Sequence, residues 1–150
     1  DELAQAVEEN SARIVELWLD DITTNPSTRS YRPLNRDGLR ERAMVIMGQF
    51  GSWLRKVKSE GEFTAFYRSL GKERKEGSVP IEEAISSLSL LKKHVWMFTY
   101  SFGVWEKAVD IYRMFELGER LVYFFDRAAY HTAVGYKQDD RRGQGGANAP

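Results

Sequence analysis

The sequence predicts an all-α domain: five helices packed as a bundle or in a globin-like arrangement, the last of them long. Three observations point there. Apolar residues recur at helical spacing through most of the chain and nowhere alternate with the period of a strand. Gly, Pro and Asn gather at a few points that cut this pattern into segments. Val104, Ile111, Gly118, Phe125 and Thr132 recur every seven residues, and Ala108, Phe115, Val122, Ala129 and Tyr136 repeat the pattern four residues later. That seam is long enough for one extended helix.

The first helix carries Leu3, Val7, Ile14, Leu17, Trp18 and Ile22, with Asn10 and Asp21 interrupting the stripe. It ends before Pro26, because a residue that precedes proline avoids helical angles. A polar loop over 24–33 follows. The second helix carries Leu39, Ala43, Ile46, Met47, Phe50, Trp53, Leu54 and Val57, with Asn35 or Asp37 as its N-cap. Gly48 and Gly51 weaken it and leave room for a close neighbour. Ser59 and Glu62 have capping-box spacing and open a third helix through Phe63, Phe66, Tyr67 and Leu70, closing near Gly77. Pro80, Glu82 and Glu83 start a fourth helix, where proline and acidic residues suit the first turn. Its stripe is Ile81, Ala84, Ile85, Leu88, Leu91, Val95, Phe98 and Phe102, and it breaks near Gly103. The fifth helix runs over 104–136. The domain spans 1–138, and 139–150 is a flexible polar tail or linker.

Bulk properties exclude several classes of function. One hundred and fifty residues suit one domain with a single core. Lys and Arg number 22, as do Asp and Glu, so no net field favours nucleic acid or an anionic membrane. The chain has no cysteine, which removes disulfides, thiolate nucleophiles and thiolate metal sites. No run reaches the roughly 18 apolar residues of a spanning helix, and Asp1 to Ala4 shows no signal-peptide pattern. A cytoplasmic location is therefore expected. The first residue is not Met, so the chain reads as an excised piece of a longer protein.

No catalytic constellation appears. His94 and His131 are the only histidines, and neither lies squarely on an apolar stripe or among grouped ligands. Haem and metal are accordingly not expected, although length and helical content fit a globin-like sensor. Glu82 and Glu83 read as helix-start electrostatics, since the Glu-x-x-His motif of carboxylate metal centres is missing. Ser86, Ser87 and Ser89 have no nucleophile elbow. The basic stretch from Arg68 to Gly77 reads as a solvated helix end.

Two apolar assignments carry the functional expectation. Where the fourth and fifth helices meet, Trp96, Phe98, Phe102, Phe115, Val122 and Phe125 line an apolar pocket or a tight aromatic core. A second edge of the last helix holds Met114, Leu117, Leu121, Phe124 and Ala128, and Tyr112, Tyr123 and Tyr130 lie on one edge of the helix outside the seam. Seam and edge together span more arc than one layer of neighbours covers. A homodimer is expected, with Tyr112, Leu117, Phe124 and Ala128 at its interface; the competing arrangement makes this the domain's own central helix.

Two segments resemble a known family. From Leu70 to Ala84 the chain reads Leu-Gly-Lys-Glu-Arg-Lys-Glu-Gly-Ser-Val-Pro-Ile-Glu-Glu-Ala, followed by Leu88, Leu91, Lys92, Lys93, Val95 and Trp96. From Phe124 to Tyr130 it reads Phe-Phe-Asp-Arg-Ala-Ala-Tyr, followed by Gly135 and Tyr136. Both resemble the N-terminal sensory domain of RsbRD-type proteins, the RsbT co-antagonists of bacterial stressosomes; the same domain heads some sensor histidine kinases. The resemblance covers most of the chain in element order, on diffuse helical patterns. It implies a non-catalytic helical input domain in stress signalling, joined to a downstream signalling domain. It transfers no catalytic residue. The alternatives are a haem or small apolar ligand sensor and an interaction scaffold with no ligand.

Overall fold

A computed structural model describes residues 2–55, 60–101 and 108–147. Among these the chain is helical with no strand. Its elements are α1 (Glu2–Glu9), α2 (Ser11–Thr24), a 3₁₀ helix (Pro26–Tyr31), α3 (Arg36–Leu54), α4 (Glu60–Glu76), α5 (Ile81–Ser101) and α6 (Ala108–Ala147). The expected fold class holds, and the elements differ from the sequence reading in three places.

The first stripe is divided between α1 and α2. Asn10 leaves helical angles, and its side chain donates to the carbonyl of Ala6 at 2.7 Å. Short polar side chains compete with the helix in this way. Both pieces still bury one continuous face: Ala4, Val7, Ile14, Val15, Trp18, Leu19 and Ile22. Leu17, part of the expected stripe, is exposed instead.

The segment expected to be a loop is folded. Asn25 is extended before Pro26, and its side chain accepts the amide of Ser27 at 2.9 Å. The 3₁₀ turn that follows buries Thr28 and Tyr31. Thr28 donates to the carbonyl of Ile22 at 2.8 Å, and Tyr31 bonds the Ser87 hydroxyl at 3.0 Å. Glu83 accepts both the amide and the hydroxyl of Ser30. This polar segment is thus held to α5 by hydrogen bonds between residues far apart in sequence, which no local pattern reports.

Asn35 is the N-cap of α3, accepting the amide of Gly38 at 2.9 Å. The inner face of α3 is Leu39, Ala43, Ile46, Met47, Phe50 and Leu54. At the end of α4 the amide of Val79 bonds the carbonyl of Arg74 and that of Ser78 bonds the carbonyl of Lys75. These are the paired bonds of a Schellman cap. Its left-handed position falls on Ser78, with φ of 62°, and not on the adjacent Gly77.

The tightest contact in the fold is where α4 crosses α6. A Cβ on Gly71 would sit 2.1 Å from the carbonyl oxygen of Thr132, and one on Gly135 would sit 2.2 Å from that of Arg68. Only two facing glycines admit this approach. Around it Phe124 meets Phe63 and Tyr67 edge to face, with centroids 5.4 and 6.3 Å apart, a favoured aromatic geometry, and Phe63 lies tilted on Tyr67 at 4.6 Å. Trp18 ties α2 to α5, its indole N–H donating to the Ser87 carbonyl at 2.8 Å. Among the described residues no helix is long and apolar enough to cross a membrane.

Helix α6 also runs further than expected. It continues to Ala147, into the stretch assigned to a linker. Extending a helix adds one hydrogen bond per residue ordered, whereas starting one is costly, so a polar segment can follow a helix already anchored in a core.

Candidate functional site

The crossing sets the rotation of α6, and the rotation decides which of its stripes faces the core. Gly135, Ala128 and Leu121 are seven residues apart, on one line of the helix. With Gly135 pressed against α4, that line turns inward. Leu117, Leu121, Phe124, Phe125 and Ala128 are buried against the chain's own helices. Leu117, Phe124 and Ala128 therefore cannot form the expected dimer interface, because their surface is already covered. Of that set only Tyr112 is exposed, at 80%.

The outward face of α6 carries the first half of the heptad seam. Ile111 is 51% exposed, Phe115 65% and Val122 48%. Phe125, Thr132 and Tyr136 of the same two rows are buried. The seam thus passes from solvent into the core along the helix, near Gly118, which lies beneath the ring of Trp96. Residues 102–107, which include Val104 and the expected pocket residue Phe102, lie outside the described residues.

Between α5 and this face runs an open groove of about 790 Å³. Trp96, Phe115 and Val122, three of the expected pocket residues, line it together with Met114, Gly118 and Leu121. Phe98 and Phe125 are instead core side chains. Charge is divided across the groove: Lys92 and Lys93 stand on α5, Glu119 and Asp126 on α6. A separate space between Trp18, Tyr31, Ser87 and Thr132 is only about 20 Å³, room for about one water molecule. A third space, of about 220 Å³, lies among Leu34, Gly38, Leu39, Glu73 and Val79; of the three, the groove is much the roomiest.

The titratable groups are structural in their contacts. Asp21 accepts from Lys93 at 3.0 Å, from Asn25 at 3.1 Å and from the ring of His94 at 2.7 Å. Burial pushes the Asp21 carboxyl up, but the hydrogen bonds from His94, Lys93 and Asn25 outweigh it and hold the group at about 2. A carboxylate so stabilised is a weak general base near neutral pH. His131 is buried, edge-on to Phe63, with the Arg68 guanidinium donating to Nδ1 at a long 3.4 Å. Burial first, then the charges of Arg68 and Arg127, lowers its pKa. The sequence placed His131 off the apolar seam; it is buried because the buried face is the other stripe. Among the described residues no three His, Asp or Glu converge on a possible metal position.

The two segments that carry the family resemblance meet at one place. Glu73 pairs with Arg42 at 3.1 Å, and the Arg74 guanidinium lies over the Tyr31 ring at 5.5 Å. Lys75 donates to the backbone carbonyl of Tyr136 at 3.1 Å, and the Tyr136 hydroxyl donates to the carbonyl of Val79 at 2.8 Å. With Gly71 against Gly135, they form a latch that holds α6 to the end of α4. Comparisons of the chain with protein families, with curated proteins and with solved structures find no match.

Proposed function

We propose that this is a non-catalytic signal-input domain of a bacterial, cytoplasmic signalling protein, of the kind the RsbRD-type resemblance implies. A stimulus changes the pose of α6, and α6 passes the change to a downstream signalling domain. The observation that supports this most is the double position of α6. Its middle is built into the core and latched at Gly135 and Tyr136, and the same unbroken helix runs on to Ala147. At 40 residues it is about 60 Å long. A rigid rod rooted in a core transmits rotation or translation, where a flexible linker would dissipate it.

The test joins the chain, in helical register after residue 147, to the catalytic core of a histidine kinase, with zero to seven residues inserted at the junction. Autophosphorylation that rises and falls with the helical period supports transmission through α6. Activity that is flat across the series, and unaffected by loosening the latch with Tyr136→Phe, refutes it.

A further inference from the structure

Two arginines stand at the seam between α4 and α6 with no carboxylate to balance them. Phe63 lies beside Arg127, Arg68 beside His131 and Lys75 beside Tyr136. The two helices therefore run side by side in the same direction. The guanidinium carbon of Arg127 sits 5.9 Å from the ring centroids of both Phe63 and Tyr123. Such a contact uses the charge of the guanidinium and leaves its N–H donors unspent. Arg68 gives its Nε–H to Nδ1 of His131 at 3.4 Å and makes no other bond among the described residues. Both arginines are half-buried. By contrast Arg36, Arg40, Arg42, Arg55 and Arg120 each pair with Asp or Glu. Lys72, four residues beyond Arg68 and so on the same face of α4, is also half-buried and makes no ion pair among the described residues.

We infer that this seam is a binding site for an oxyanion of the phosphate class, held by the guanidinium groups of Arg68 and Arg127 beside His131. A guanidinium presents a planar fork of donors that matches two oxygens of a phosphate. The rings of Phe63 and Tyr123 hold the Arg127 fork in place before a ligand arrives, which cuts the ordering cost of binding. Charge selects the class of anion. The two guanidinium groups, with Lys72 alongside, concentrate more positive charge than one carboxylate answers, whereas a phosphate group carries about −1.5 to −2 at pH 7.

His131 supplies an internal reporter. It faces Arg68 from α4 and, on α6, Arg127 and the Tyr130 ring at 5.1 Å. No carboxylate among the described residues bonds to it. Burial first, then the charges of the two arginines, lowers its pKa. An anion on those arginines cancels part of the second cause, so the pKa of His131 rises when the anion binds. By linkage the anion binds more tightly as pH falls through that pKa. The inference does not depend on the signalling role, since it concerns binding alone.

The experiment is solution NMR of the purified chain at low salt, following the His131 ring and the arginine Nε–H signals. Inorganic phosphate, phenyl phosphate, sulfate and acetate are added in separate series. Sulfate keeps its double charge throughout, so it separates the titration of His131 from that of phosphate itself. The expected result is saturable binding of phosphate with Kd of about 1 mM or tighter, weaker binding of acetate, and a higher His131 pKa in the presence of sulfate. Arg68→Gln and Arg127→Gln should each weaken phosphate by about tenfold or more, as loss of charged hydrogen bonds does, while Lys92→Gln in the groove should leave it unchanged. If either Gln variant loses its helicity by circular dichroism, Arg127→Lys decides instead: it keeps the charge over the rings and loses the fork, so parent-like affinity in it overturns the inference. Phenyl phosphate bound more tightly than phosphate assigns the site to a phosphate ester, and the reverse order assigns it to the free ion; both uphold the class. No saturable shift up to about 20 mM phosphate overturns the inference. So does acetate bound as tightly as phosphate, affinity that survives both Gln variants, or a His131 pKa that sulfate leaves in place.

Discussion

Replacing Gly71 by alanine adds one methyl group at the tightest point of the fold. Its Cβ would fall 2.1 Å from the carbonyl oxygen of Thr132 and 3.0 Å from the carbonyl carbon. Carbon–oxygen contacts ordinarily begin at about 3.3 Å. The opposing atoms are helix backbone, so no side chain can rotate away, and α4 must move off α6 by about an ångström. Overpacking of this kind costs about 1–3 kcal/mol. A gap of that width also forfeits a quarter to a half of the dispersion energy of each contact it opens, here around Tyr67, Phe124 and Ala128. Against this, alanine returns about 1 kcal/mol of helix propensity. The net loss is about 1–2 kcal/mol, which lowers Tm by roughly 2–8 °C in a chain of this size. Gly48, in α3, faces open space: a Cβ there would meet nothing within 4 Å. Gly48→Ala should therefore stabilise by up to about 1 kcal/mol. The same substitution thus has opposite signs at two helical glycines. Gly135→Ala should match Gly71→Ala, and the double variant should cost less than the sum, since the first methyl group already parts the helices. Urea melts followed by circular dichroism measure all four. A Gly71→Ala protein at least as stable as the parent would refute the close crossing, and with it the account of why α6 is turned as it is.

Further expectations follow from the same structure. Phe125→Ala should destabilise by about 3–5 kcal/mol, whereas Phe115→Ala, measured on dilute protein, should stay within about 0.5 kcal/mol; similar losses at both sites would reverse the assignment of faces. Ser78→Gly should gain about 1 kcal/mol by relieving a left-handed serine, and no gain in urea melts would count against that cap. The folded pKa of Asp21 lies near 2, below its ordinary 3.8. Its charge therefore adds stability, on the order of 2 kcal/mol, that is complete above about pH 4 and lost as pH falls through 2. The gap between the parent protein and Asp21→Asn should accordingly shrink from pH 7 to pH 2; a constant gap would show that ionisation of Asp21 is not the source.

The helices were legible from local spacing because an amphipathic helix writes its buried face into the sequence at a fixed period. Asn35 as N-cap, the stop before Pro26 and the inner face of α3 all follow from chemistry within a few residues. The 3₁₀ turn of Pro26–Tyr31 was not legible, because the bonds that hold it reach Ser87 and Glu83 on another helix. The candidate site divided in the same way. Trp96, Phe115 and Val122 could be found as apolar residues near the helix junction, and they do line the groove. Their being open to solvent, while Phe98, Phe124 and Phe125 are covered, could not be read from spacing.

By itself the sequence determined an all-helical chain, the stop before Pro26 and the start of α3 at Asn35, and a last helix with more apolar surface than one neighbour covers. Only the tertiary structure decided which part of that surface is core. Two stripes of similar hydrophobicity lie side by side on α6, and hydrophobicity does not rank them. What ranks them is steric: Gly71 and Gly135 are the pair that let two backbones touch, and that single contact turns Leu121, Phe124 and Ala128 inward and leaves Ile111, Phe115 and Val122 in water.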